Sequence, residues 1–360
     1  MAVALFSSAA TASEIIITVA GPTSGPHSDR TTQMLAGARR AASKINGDGG
    51  IKGALVRIDT VDDGCSADIA ASVATALASR KVDLVIGHPC AAAASAAAKV
   101  YASAQTLFIA TGTRHSAQPI GASGTTVFRL SGRDNLQGAE AATYLADQHN
   151  GQTIAIVHDR TRASKYLADA AADTLKKRAM PEPITATVIG GDKDFPLLTA
   201  KLKTAAAIFY AGYPLEAGIL YTQLRKAGST ATFLMSDRGG AVEFTDTFGR
   251  SVEGVHVMRP RFGLHPALDP KSSALSVDAQ IAEADNALAA AAVAVYGAAA
   301  NAADAVNPAT VAHELSARVH ATAEGTVAFD ENGNAMRPSY DTYKWTGEIW
   351  ERDVIAPLNR

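Results

Sequence analysis

The chain has 360 residues, of which 47% are hydrophobic and 6% aromatic, and its formal net charge at pH 7 is −2. That length accommodates two domains of ordinary size, and the composition is that of a folded α/β protein and not of a disordered one. The small net charge, with both signs interspersed, argues against nucleic acid or an anionic lipid surface as the main partner.

The N-terminus is apolar and ends in Ala10-Thr11-Ala12, like the A-x-A cleavage site of a secretory signal. We therefore expect residues 1–12 to be the remnant of a signal peptide and the protein to be exported. The positively charged segment that usually opens such a signal is missing, so a cytosolic tail is the alternative. No apolar run approaches the ~20 residues of a membrane helix.

Short apolar runs alternate with helix-like segments through the first third of the chain. Residues 14–21 are a predicted strand, and residues 28–46 carry apolar or small side chains at helical spacing. Strands are then predicted at 56–61, 82–87 and 107–110, separated by two Ala-rich helices. The strand at 82–87 lacks polar alternation, as expected when both faces are buried. This alternation predicts βαβ units and a parallel sheet.

The same alternation begins again at about residue 153, after a predicted crossing into a second domain. Two similar α/β lobes in one chain indicate a cleft protein with a hinge. Near the end, Asn332-Gly333 is a hairpin signal. The aromatic residues of this tail are expected to be strand core and not a binding platform: Tyr340, Tyr343, Trp345 and Trp350.

The two cysteines, Cys65 and Cys90, each follow a predicted strand, and those strands lie in the same sheet. Their Cα atoms could come within the ~6 Å that a disulfide needs. Such a bridge would contribute roughly 3–4 kcal/mol by the chain-entropy model. Two buried thiols are the alternative, and a zinc site would need more clustered ligands than this sequence offers.

In open parallel sheets, ligands bind outside the carboxyl ends of the strands, where helix N-termini present N–H groups. The turns at 90–94 and 111–113 are therefore the first places to expect a ligand. His88 and His158, which end strands, are expected to make hydrogen bonds at the rim. The sequence contains no nucleotide P-loop, no dinucleotide fingerprint and no nucleophile elbow. A binding function without catalysis, metal or cofactor is favoured.

Several motifs follow one another in a characteristic order along nearly the whole chain. They include Ser24-Gly25-Pro26, Ala36-Gly37-Ala38, Asp62-Asp63-Gly64-Cys65, Val85-Ile86-Gly87-His88 with Cys90, Ile154-Ala155-Ile156-Val157-His158-Asp159, Tyr210-Ala211-Gly212-Tyr213 and Ala227-Gly228.

With these motifs the chain resembles the leucine/isoleucine/valine-binding proteins, the type I periplasmic solute-binding proteins of ABC importers. The resemblance implies two Rossmann-like lobes with parallel central sheets joined by a three-segment hinge, and a disulfide between the equivalent cysteines. The lobes would comprise 13–130 with 261–327, and 131–260 with 328–360. They would close around one solute, held between them.

Family members hold the α-carboxylate of an amino acid with a Ser that follows the second cysteine. Ala91 stands at that position, so the resemblance leaves only the backbone N–H groups of Ala91 and Ala92. Thr111 and Thr113 fit the next strand-end turn, which completes the carboxylate site in the family.

On the opposite lobe, Tyr213 matches a cleft tyrosine, and Asp237 falls where the family has an acid for the α-ammonium group. Three further positions depart from the family: Arg30 and Ala163 each replace a common tyrosine, and Arg238 replaces a usual glycine. An Arg fork can hold a second carboxylate bidentately, which favours a polar or acidic solute over a leucine-type one. The alternative for each of the two arginines is that its side chain faces solvent. The alternative for Asp237 is that it caps a turn.

The resulting hypothesis is a monomeric periplasmic solute-binding protein that delivers a small polar, amino-acid-like solute to an ABC permease of the inner membrane. It catalyses no reaction and needs no cofactor. A ligand-sensing receptor or an amide-responsive regulatory module of the same fold is the alternative.

Overall fold

The computed structural model describes residues 14–114, 126–237, 242–261, 277–337 and 339–353. The chain divides into two compact units. Of the described residues, unit 1 contains those in 14–131 and 277–336, and unit 2 those in 132–261 and 337–353.

Unit 1 is built around a five-stranded parallel sheet with the strand order β2-β1-β3-β4-β5. A short antiparallel pair, β11 and β12, follows its last two helices. Its elements are β1 (Glu14–Ala20), α1 (Ser28–Gly47), β2 (Leu55–Val61), α2 (Ala67–Ser79), β3 (Leu84–Gly87), α3 (Ala91–Ser103), β4 (Phe108–Ala110), β5 (Val127–Arg129), α9 (Val277–Ala302), α10 (Pro308–Ala317), β11 (His320–Thr322) and β12 (Gly325–Val327).

Helices cover both faces of this sheet, which explains the continuous apolar sequence of β3. Leu84 and Ile86 belong to the core that contains residues of α1 and α9. Val85 points to the other face and packs with residues of α2 and α3. Successive side chains of a strand face opposite ways, so a strand between two helical layers is apolar at every position.

The pairing of α1 with α9 depends on Gly37. A Cβ atom at this position would overlap the carbonyl oxygen of Asn286 in α9. The small-residue motif Ala36-Gly37-Ala38 therefore allows the two helix backbones to approach closely.

Unit 2 contains a seven-stranded sheet with the order β14-β13-β10-β9-β8-β6-β7. Its strands β10, β9, β8, β6 and β7 are parallel, whereas β13 is antiparallel to β10 and β14. Its elements are α4 (Gln137–Gln148), β6 (Ile154–His158), α5 (Arg162–Lys177), β7 (Ile184–Thr187), α6 (Pro196–Leu202), β8 (Ala207–Ala211), α7 (Pro214–Lys226), β9 (Thr232–Met235), α8 (Val242–Phe248), β10 (His256–Pro260), β13 (Tyr340–Trp345) and β14 (Trp350–Arg352).

The aromatic side chains of the tail are buried in the unit 2 cores, as predicted: Tyr340, Tyr343, Trp345 and Trp350. Asn332-Gly333 lies in a tight turn, where Phe329 and Ala335 form an antiparallel bridge and Gly333 N–H donates to the Asp330 carbonyl. The expected α/β architecture with parallel central sheets is confirmed.

Cys65 and Cys90 form a disulfide, with their Cα atoms 5.4 Å apart. Cys65 follows β2 and Cys90 is the residue immediately before α3, so the bridge joins the turns that follow β2 and β3, which lie on either side of β1. This confirms the predicted pairing and rejects the alternative of two free thiols.

Candidate ligand-binding site

A pocket of about 240 Å³ lies at the carboxyl edge of the unit 1 sheet. The turns that follow β3 and β4 form one side of it, and α9 forms the other. Its lining residues are Arg30, Pro89, Ala91, Thr111, Gly112, Thr113, Arg114, Ser131, Ile281, Ala284, Asp285 and Leu288.

The N-terminus of α3 lies at this pocket through Ala91. The first hydrogen bond of the helix is from Ala94 N–H to the Cys90 carbonyl, at 2.9 Å. The first N–H groups of an α-helix generally have no acceptor within the helix, and the N-terminal end of a helix has a partial positive charge. Ala91 lines the pocket, whereas Ala92 is exposed and is not part of the lining.

The turn after β4 contributes two buried hydroxyl side chains, those of Thr111 and Thr113. Among the described residues, the Thr111 Oγ1 atom has no hydrogen-bond partner. The carbonyl of Thr113 accepts a hydrogen bond from Ser131 Oγ. Gly112 lies so close to Pro89 that a side chain at position 112 would overlap the proline ring and backbone, so the close approach of the two turns requires a glycine here.

Arg30 and Asp285 form an ion pair in the wall of the pocket. The Nε and Nη2 atoms of Arg30 donate to the two carboxylate oxygens of Asp285, at 2.7 and 2.8 Å. The Arg30 side chain is 25% exposed and the Asp285 side chain 2%. Burial raises the pKa of Asp285, and the hydrogen bond and charge of Arg30 oppose that increase.

Arg30 also ties both turns to this pair. Its Nη1 atom donates to the Pro89 carbonyl at 2.8 Å, and its Nη2 atom to the Gly112 carbonyl at 2.6 Å. Arg30 therefore lies in the pocket wall, and the alternative that it faces solvent is wrong. The edge of the guanidinium that would hold a second carboxylate bidentately is already occupied by Asp285.

In unit 2, Tyr213 follows β8 and Asp237 follows β9, and these two strands are neighbours. Both residues therefore lie at the carboxyl edge of the unit 2 sheet. Tyr213 is 49% exposed and immediately precedes α7, and Asp237 is also exposed. Arg238 lies outside the described residues. Tyr213 and Asp237 stay predictions as ligand contacts.

The two histidines at strand ends differ. His158 is half-buried, and its Nδ1 atom accepts a hydrogen bond from Arg160 N–H at 3.1 Å, as expected for a rim residue. The expectation for His88 was wrong, because its side chain is fully buried between Asp63 and Tyr101. The apolar helices on both faces of β3 shield the end of this strand from solvent.

Sequence reasoning missed several residues of the lining, above all Asp285, Arg114 and Ser131. Asp285 had a recognisable signal, since it is an acid directly before the Ala-rich and largely buried part of α9. A buried carboxylate needs a cationic partner. The sequence does not show which arginine supplies it.

A second pocket, of about 250 Å³, lies at the opposite edge of the unit 1 sheet beside Asp83 and Tyr296. The Asp83 carboxylate there accepts the Ile16 N–H at 2.7 Å, which fixes the start of β1. Ligands of parallel sheets bind at the carboxyl edge, so the pocket beside Arg30 is the better candidate.

Within the described ranges, no cluster of His, Cys, Asp and Glu could hold a metal ion. None of the helices in this part of the chain is both long enough and apolar enough to cross a membrane.

A family model described as "Periplasmic binding protein" matches residues 14–348. A leucine-, isoleucine-, valine-, threonine- and alanine-binding protein of Pseudomonas aeruginosa is 31% identical over 364 residues, covering 98% of this chain and 96% of the relative. A Leu/Ile/Val-binding protein of Escherichia coli is 31% identical over 348 residues, covering 94% and 93%.

Solved structures share the fold. An ABC transporter substrate-binding protein from Desulfitobacterium hafniense matches with a TM-score of 0.63 and 21% identity, covering 94% of this chain and 100% of that one. A type 1 periplasmic binding protein from Bordetella pertussis matches with a TM-score of 0.54 and 16% identity, covering 95% and 100%. At these identities the likeness concerns the fold alone.

Proposed function

The chain belongs to the periplasmic binding protein family, and within it to the leucine/isoleucine/valine-binding proteins, and on this basis we propose that it binds an α-amino acid for import. Delivery would be to an ABC permease of the inner membrane. The protein would act as a periplasmic monomer, without cofactor and without changing its ligand chemically. The relatives from Pseudomonas aeruginosa and Escherichia coli, whose names specify amino acids, support this proposal.

The observation that carries the proposal is the pocket at the N-terminus of α3. A helix N-terminus attracts anions, and the pocket adds the buried Thr111 hydroxyl, for which the described residues provide no partner. Leaving a buried hydroxyl without a partner costs free energy. A ligand carboxylate that accepts a hydrogen bond from Thr111 would remove this cost.

We assign the α-carboxylate to Ala91, Thr111 and Thr113, and the α-ammonium group to Asp237 with Tyr213 of unit 2. Ala92 is a weaker candidate for a carboxylate contact than Ala91, because it does not line the pocket. Charge-assisted hydrogen bonds contribute roughly 1.5–3 kcal/mol each. Two or three of them would account for an affinity of about 1 μM once the costs of binding are subtracted.

Calorimetric titration of the purified protein with α-amino acids, and with the carboxamide of each one that binds, tests the carboxylate assignment. We expect at least one amino acid to bind and its carboxamide to bind at least tenfold more weakly. Thr111→Val should weaken binding, whereas Thr75→Val, at an exposed threonine of α2, should not. Failure of every amino acid to bind, or equal affinity for acid and amide, contradicts the proposal.

The transport role needs a separate experiment in the native host. Disruption of the gene should abolish high-affinity uptake of the amino acid that binds in vitro, and the wild-type gene should restore uptake. The protein recovered from the periplasmic fraction should lack the residues before the cleavage site. Mass spectrometry should recover the bound amino acid unchanged. Normal uptake in the disrupted strain would instead favour a sensory role.

A further inference from the structure

The second pocket of unit 1, beside Asp83 and Tyr296, has no role in the proposed binding of an amino acid. Its volume of about 250 Å³ is close to the 240 Å³ of the pocket beside Arg30. The segments that lead into β3 and β4 form part of its lining, and α9 and the start of α10 form the rest. It therefore lies at the amino edge of the sheet, away from the turns assigned to the amino acid.

Asp83 is the acidic residue of this lining. Its side chain is half-buried, and one of its carboxylate oxygens accepts the Ile16 N–H at 2.7 Å. Burial raises the pKa of Asp83, and the hydrogen bond from Ile16 opposes this increase. Within the described residues, no Lys, Arg or His forms an ion pair with this carboxylate. Because a partly desolvated carboxylate is unfavourable without a cation, the pocket favours a positively charged ligand.

The hydroxyl group of Tyr296 lies in the same lining. The side chain is 1% exposed, and burial together with the charge of Asp83 raises its pKa. This hydroxyl makes no hydrogen bond with the part of the chain that the structure describes. Thr106, which is also buried, adds a second hydroxyl side chain to the lining. Hydroxyl oxygens accept hydrogen bonds, so both can receive N–H groups of a ligand.

The helix ends around the pocket also favour a cation. Ala78 in the last turn of α2 and Ala104 directly after α3 belong to the lining, and the C-terminal end of a helix has a partial negative charge. The positive end of α10 is present too. However, Pro308 has no N–H, and the Asn307 side chain accepts the N–H of Thr310 at 3.1 Å. Little of that end is left for an anion.

Lys81 is the basic residue of the lining, and it opposes binding of a cation. Its side chain is exposed, so water screens its charge more effectively than that of the half-buried Asp83. Gln105, also in the lining, donates from Nε2 to the Ala102 carbonyl at 3.0 Å, which leaves its amide oxygen as an acceptor. The balance of the lining is therefore negative, with Lys81 reducing it.

The remaining lining offers carbon surface for a short aliphatic chain. Val82 and Val311 are buried, and Val306 is partly buried. We propose that the second pocket binds a small organic cation, a protonated primary amine with a short aliphatic chain, whose ammonium group lies between Asp83 and Tyr296. This site is independent of the proposed amino-acid site.

Nuclear magnetic resonance titration of the full protein at neutral pH and constant low salt tests the proposal. The probe is n-butylammonium, and n-butanol, butyrate and γ-aminobutyrate are the comparison ligands. We expect n-butylammonium to bind at least tenfold more tightly than n-butanol or butyrate, and more tightly than γ-aminobutyrate. The amide signals of residues 81–83 and 104–106 should shift, whereas those of 111–113 should not.

Three variants locate the ammonium group. Asp83→Asn removes the charge but keeps a side-chain oxygen for the Ile16 N–H, and it should weaken binding of n-butylammonium at least tenfold. Tyr296→Phe should weaken binding about threefold or more. Lys81→Met should strengthen it at least twofold, because the opposing charge is removed. The last two variants leave the Asp83–Ile16 hydrogen bond in place, so they keep the test decisive should Asp83→Asn fail to fold.

Two exposed residues of the neighbouring helices provide matched controls. Asp68→Asn, at the opposite end of α2, and Lys99→Met, in α3, change the same charges away from the pocket and should leave the affinity unchanged within twofold.

Three results would overturn the proposal. The first is equal affinity for n-butylammonium and n-butanol, or an unchanged affinity in Asp83→Asn. The second is a shift of the signals of residues 111–113 in place of those of 81–83. The third is tighter binding of γ-aminobutyrate that Lys81→Met abolishes, since this would assign the pocket to a zwitterion. None of these results bears on whether the protein binds an α-amino acid at the other pocket.

Discussion

The Nδ1 atom of His88 lies 2.7 Å from the Oδ2 atom of Asp63, and both side chains are fully buried beside the disulfide of unit 1. The Asp63 Oδ1 atom accepts the Cys65 N–H at 2.8 Å, and the other imidazole nitrogen of His88 lies 3.2 Å from the Tyr101 hydroxyl. One carboxylate therefore joins the turn after β2 to the end of β3.

Asp63→Ala should lower the free energy of unfolding by about 3 kcal/mol or more, because it leaves the buried His88 and the Cys65 N–H without their acceptor. Urea unfolding with the disulfide intact measures this loss. Asp62→Ala is the matched control, since the neighbouring carboxylate is exposed and accepts from the backbone N–H groups of Gly64 and Thr23 and from the Thr23 side chain. Equal losses of unfolding free energy in Asp63→Ala and Asp62→Ala would contradict the prediction that the buried contact of Asp63 with His88 stabilises the fold.

Gly37→Ala should destabilise unit 1 by roughly 1–3 kcal/mol, because the added methyl group would overlap the Asn286 carbonyl and force α1 away from α9. Gly47→Ala, in the same helix, meets no atom within 4 Å and should be neutral or slightly stabilising. Thermal unfolding of both variants gives the comparison. A Gly37→Ala protein as stable as wild type would show that the helices do not pack this closely.

Loss of the disulfide should cost roughly 3 kcal/mol of stability, because the bridge joins residues 25 positions apart and thereby restricts the unfolded chain. Cys65→Ser and Cys90→Ser should lose similar amounts, since either one abolishes the bridge. Chemical unfolding with and without a reductant measures the effect. The reductant should not change the stability of the two variants, which lack the bridge. If it destabilises them as well, its effect on the wild type cannot be attributed to this disulfide.

The stability of the protein should decrease as the pH falls from 7 to 5, in part because of His149. Burial lowers the pKa of His149 below its usual 6.5. Between pH 5 and 7, His149 therefore binds a proton more readily in the unfolded chain than in the folded protein. The free energy of unfolding consequently rises with pH.

His149→Gln should flatten this pH dependence, and His313→Gln, at an exposed histidine, should not. The measurement is urea unfolding at several pH values from 5 to 7.5. An unchanged slope in His149→Gln would show that other groups account for the acid sensitivity.

The sequence predicted most of the fold because its periodicities are strong. The run at β3 is apolar throughout, as the two helical layers around it require. By contrast, α10 was left unassigned, although Asn307 caps it and Pro308 is its first residue, which is a recognised start signal. Local patterns thus contain most, but not all, of the information about helix and strand positions.

The site was less predictable for a physical reason. The strand-end turns with Ala91, Thr111 and Thr113 follow from the topology of a parallel sheet, and all three line the pocket. The partner of Arg30 is 255 residues away in the chain, and no local pattern reports such a contact. The sequence suggests that Arg30 could bind a ligand carboxylate, but in the folded protein Arg30 is paired with Asp285.

The Arg30–Asp285 pair also constrains how this protein can diverge. Loss of either residue alone would leave the charge of the other unpaired in the pocket wall, and loss of Arg30 would also remove the hydrogen bonds to the carbonyls of Pro89 and Gly112. A substitution at position 30 or 285 alone should therefore be poorly tolerated, and lasting changes should occur at both positions together.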